Sequence, residues 1–114
     1  MKYLLKYKET EVGTVEGREE DFLNLWGSFS KNANLKNESL LKFISLSIRE
    51  SALIEEDYLR DISNDLDSLE VEIEPFKYFI ESEDWKLIKE TGEELNILAP
   101  SFKPDNSIVW RWRI

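Results

Sequence analysis

The side chains best suited to chemistry in this sequence are carboxylates. Asp61, Ser63, Asp65 and Glu72 fall at the first, third, fifth and twelfth positions of an EF-hand-like spacing, with which oxygen ligands converge on calcium. The sixth position of such a loop needs glycine for its sharp turn, and here it is Leu66. A helical apolar pattern claims that leucine for the core, so the loop could form only by exposing it. These acids therefore read as a solvated helix face, and no metal is expected. The 24 acids could in principle supply a glycosidase-like pair, but nothing sets two of them across a cleft.

Composition excludes most other chemistry. The chain has no histidine and no cysteine, which removes the usual base near neutral pH, the commonest metal ligands and the Ser-His and Cys-His nucleophiles. No phosphate-cradling motif occurs, and four glycines leave little material for one. Trp110 and Trp112 alternate with Arg111 and Arg113, a pattern that can stack nucleic-acid bases. At a pI of about 4.6, however, a phosphate backbone would be repelled. In a strand these tryptophans share one face with Ile108, as a half-buried sheet requires. The expectation is a protein that is not an enzyme, holds no cofactor and binds no nucleic acid directly.

The distribution of charge carries more information. Of the 24 acids, ten lie between Glu50 and Glu74, where Arg60 is the only base; this segment accounts for the entire formal charge of -9. Asp57, Asp61 and Asp65 recur every four residues, where each unpartnered like-charge pair on a helix costs about 0.2 to 0.5 kcal/mol. Such a run can serve solubility alone, or can steer a basic partner onto the surface. On the second reading Asp57, Asp61, Asp65, Asp67, Glu70 and Glu72 make the contacts. Tyr58 fits either an aromatic anchor or the core. The partner would be a basic protein, such as a nuclease toxin met by an immunity protein, or a nucleic-acid-binding protein met by an inhibitor. The alternative is a structural module that builds a homo-oligomer through an apolar helix face or a free strand edge.

These residues need a scaffold, and 114 residues with 41% hydrophobic content suffice for one domain spanning 1–114. Residues 2–7 and 11–16 read as a hairpin that Gly17 closes, residues 21–29 as a short strand or irregular packed segment, and 31–37 as a surface loop. Asn37 is a helix N-cap. Helices are predicted over about 38–53 and 55–69, and the pattern leaves open whether they are separate or one bent rod. After Pro75 strand character returns at Phe76–Ile80, Trp85–Lys89, Leu95–Ala99 and Ile108–Arg113, with turns at Thr91-Gly92 and Lys103-Pro104-Asp105-Asn106. The predicted class is α+β: a mainly antiparallel sheet of about 4 to 6 strands with two helices on one face.

Several of these pieces, Val12-Gly13-Thr14-Val15, Asp21-Phe22, Trp26-Gly27-Ser28-Phe29, Trp85-Lys86-Leu87-Ile88, Ile97-Leu98-Ala99-Pro100 and Ile108-Val109-Trp110-Arg111, resemble a group of small bacterial single-domain proteins. The resemblance implies a bacterial domain and supplies no activity. The absence of cysteine, a start interrupted by Lys6 and Lys8, and the lack of any apolar run near 20 residues predict a cytoplasmic protein outside the membrane.

Overall fold

The computed structural model describes residues 2–20, 25–56 and 63–113. The chain is α+β, and the described residues form seven antiparallel strands: β1 (Lys2–Tyr7), β2 (Thr10–Glu20), β3 (Leu25–Lys31), β4 (Trp85–Lys89), β5 (Glu94–Asn96), β6 (Ser101–Phe102) and β7 (Ser107–Trp110). Between β3 and β4 come α1 (Glu38–Glu56), α2 (Ser63–Ile73), a 3-10 turn (Glu74–Phe76) and α3 (Lys77–Glu81). The strands run in the order β5-β4-β1-β2-β3-β7-β6.

Alternation along the strands decides which face is buried. In β1, Tyr3, Leu5 and Tyr7 point inward and Leu4 and Lys6 outward, and Val12, Val15, Leu87, Ile108 and Trp110 join the inner set. The sheet is strongly curled. Three strand spacings separate β1 from β7, about 14 Å in a flat sheet, yet the rings of Tyr3 and Trp110 meet with centroids 6.3 Å apart. Register shifts at Leu5/Lys6 and Gly17/Glu19 mark bulges that promote this coiling. At the second bulge Gly27 faces β2 so closely that a Cβ there would collide with the Glu16 carbonyl. Gly17 itself does not close the hairpin, as its position suggests; it pairs with Gly27, and β2 runs on to Glu20.

The curl ends in closure. Ile97 bridges Trp112, Leu98 N–H donates to the Arg111 carbonyl at 3.0 Å, and Arg113 N–H donates to the Asn96 carbonyl at 3.1 Å. Beyond this bridge, Ser101 and Phe102 continue to pair along β7. β5 and β6 are thus two halves of one strand that joins β4 to β7, interrupted at Ala99-Pro100 where proline has no N–H to pair. Where β6 leaves β4, α1 fills the gap: Leu40, Phe43 and Ile44 enter the core beside Trp85 and Phe102.

Local signals explain the helix ends. Asn37 caps α1, its Oδ1 accepting from the Leu40 N–H at 3.0 Å. The helices are not one rod, because Arg49 on α1 pairs with Glu72 on α2, 23 residues later; along one helix they would stand about 35 Å apart. Leu69 and Ile73 pack on Leu46 and Leu53, so α2 forms an outer layer on α1.

The segment Phe76–Ile80, which sequence reads as a strand, is helical. Pro75 sits at the start of the 3-10 turn, a position where its missing N–H costs nothing. Phe79 is then buried while Tyr78 and Ile80 face out. The Trp85 indole secures the end of this segment by donating to the Phe79 carbonyl at 2.7 Å, one of the groups a helix terminus leaves unpaired. The strand expected over Trp85–Lys89 is β4. Lys103–Ser107 forms the expected turn, with Asn106 at a φ of 64° and its N–H on the Lys103 carbonyl.

Candidate interaction surface

Helix α2 has two faces, separated by the period of its sequence. Leu66, Leu69 and Ile73 follow a three-and-four spacing, with Leu69 and Ile73 buried and Leu66 half-buried. Val71, two residues from both Leu69 and Ile73, must point the opposite way, and it is 75% exposed. Asp67, Glu70, Val71, Glu74 and Pro75 together line an open groove on that outer side. Tyr78, 50% exposed, follows three residues beyond Pro75, its ring centroid 4.3 Å from that of Phe79.

The candidate residues therefore separate. Asp57, Tyr58 and Asp61 lie outside the described residues. Asp65 is exposed in the first turn of α2, where the helix dipole favours an acid. Asp67 and Glu70 are brought together at the groove. Glu72 is not: it turns toward α1, where the Arg49 guanidinium takes both its oxygens at 3.3 and 2.8 Å. The hydrogen bond from Arg49 holds its carboxyl below the ordinary value of 4.5. Asp65 and Glu72 both sit on a continuous helix with Ser63, so this stretch does not form the loop that an EF-hand requires.

The electrostatics of the outer face are unfavourable to the fold itself. No base occupies the last turn of α2, while Glu70 and Glu72 stand there against the negative end of the dipole. Glu72 is offset by Arg49 and Glu74 by Lys77, which it meets at 2.8 Å. The Lys77 ammonium is correspondingly raised, first by its bond to Glu74 and to a smaller extent by the charge of Glu70. Among the described residues, no ion pair uses Asp67 or Glu70.

Sequence reasoning missed Val71, Pro75 and Tyr78 as surface features. The signal for Val71 was available: it is an apolar residue out of phase with the Leu66, Leu69, Ile73 stripe. The exposure of Tyr78 was hidden by the strand reading of its segment. No group of three or more acids among the described residues converges as metal ligands, and no helix is long and apolar enough to cross a membrane. Comparison with known proteins finds no match, whether to family models, curated proteins or solved structures.

Proposed function

We propose that this chain is a bacterial, cytoplasmic, acidic protein-binding module, of the immunity or inhibitor type, that covers a basic partner surface. The observation that carries this reading is the outer face of α2. Asp67, Glu70 and Glu74 surround an exposed Val71, so an apolar contact is ringed by charges that would steer a basic partner and fix its orientation. Among the described residues Glu70 makes no direct ion pair, and only the more distant charge of Lys77 offsets its position at the negative end of the helix dipole. Relative to the sequence expectation the contact set shifts toward Asp67, Glu70, Val71 and Glu74, with Tyr78 as the exposed aromatic. Glu72 becomes a brace between helices.

The alternative is a structural module that oligomerises through an apolar helix face or a free strand edge, and of these two the strand edge offers little among the described residues. β5 is three residues long and carries Glu94, while β6 is covered by α1. The test is affinity capture from lysate of the source cell with the native chain and with D67K/E70K. The native chain retains a basic protein at low salt and releases it at high salt, and the variant retains none. Equal retention by both chains contradicts the reading.

A further inference from the structure

Across the 70–80 segment from the acidic groove lies a second concavity, of about 140 Å³, between α1, Ile73, Ile80 and the Ala99-Pro100 break. Drug-sized and cofactor sites are larger, roughly 300 to 1,000 Å³, whereas a cavity of roughly 150 Å³ holds a molecule of benzene's size. This cleft therefore suits one side chain or a small fragment. Its apolar lining includes Leu46, Ile73, Ile80 and Ala99, and Glu50 and Ser101 are among its polar lining residues. Ser47, also at the lining, already accepts the Phe102 N–H. Glu50 is half-buried, and among the described residues no ion pair uses it.

We infer that this cleft is a binding site for a primary alkylammonium, the end of a lysine side chain. An aliphatic stem of four methylenes lies along Leu46, Ile73 and Ile80, as lysine stems do on apolar surfaces. The ammonium reaches Glu50, and a donor with three hydrogens has the Ser101 oxygen as a second acceptor. A guanidinium is planar and broader, and its rigid fork of donors needs more width than a concavity of about 140 Å³ that already takes an aliphatic stem. The assignment of that lysine to the basic partner rests on the reading above. The acidic groove and this cleft flank the same helical segment, so a partner that wraps around that segment would meet the steering charges on one side and seat a lysine on the other.

The experiment is a titration of the intact chain with n-butylammonium, followed by amide chemical shifts, with n-butanol and the E50Q variant as comparisons. The site predicts saturable shifts at Ser47, Glu50, Ile80 and Ser101. E50Q should bind about ten-fold more weakly, the loss expected for one charge-assisted hydrogen bond. Butanol, with the stem but no charge, should be weaker by a similar factor. Unsaturable shifts, or equal binding by E50Q, overturn the site. D67K/E70K separates this inference from the functional reading: it abolishes capture of the basic partner and leaves the butylammonium titration unchanged. Capture that survives E50Q and competing butylammonium undiminished overturns the assignment to a partner lysine, even where the acidic-surface reading holds.

Discussion

The Ser51 hydroxyl donates to the Phe102 carbonyl at 3.1 Å, joining α1 to a strand 51 residues away. One turn earlier, Ser47 accepts the N–H of the same residue at 3.0 Å. Phe102 pairs with β7 on one side only, so two serines at helical spacing replace the strand neighbour that β6 lacks. Leaving a buried carbonyl unpaired costs about 1 to 3 kcal/mol. S51A should therefore lower the unfolding free energy by that amount, measured by urea denaturation. S47A/S51A should also expose a strand edge and self-associate in analytical ultracentrifugation.

Trp85 is fully buried, and its indole N–H is committed to the Phe79 carbonyl. W85F removes the donor and leaves space among Tyr7, Phe43 and Phe102, whose rings surround it. The combined loss is about 2 to 4 kcal/mol. The α3 amides should lose hydrogen-exchange protection beyond the global change, since their anchor has gone.

Stability in acid should register the bridge between the helices. The folded carboxyl of Glu72 is held below its ordinary 4.5, chiefly by the Arg49 hydrogen bond. Its contribution is therefore fully present above that ordinary value and is lost as pH falls through the lower folded value. Native chain and E72Q should differ in urea midpoint at neutral pH and converge in acid. Added salt should narrow the gap, because both side chains are about half exposed.

Much of the fold was legible because its signals are local. The β1-β2 hairpin, the Asn37 cap, the Lys103–Asn106 turn and strand β4 each follow from a few neighbouring residues. The closure was not legible, since the Ile97 to Trp112 bridge depends on sheet curl and on a break at Pro100 that reads as a loop. Phe76–Ile80 misled because five consecutive residues with three rings suit a strand equally well; the helix wins through Pro75 at its start and Trp85 at its end. Within the acidic segment, charge located the surface but not its orientation. Helical phase separates Glu72, turned to Arg49, from Asp67 and Glu70, turned to solvent.

The central claim, that the outer face of α2 steers a basic partner, is tested most directly by the association rate of the captured protein across a range of salt. The native chain should associate quickly at low salt and slow by about ten-fold or more as salt rises. D67K/E70K should be slow throughout and nearly indifferent to salt. A rate that is insensitive to salt and unchanged in D67K/E70K would contradict the claim.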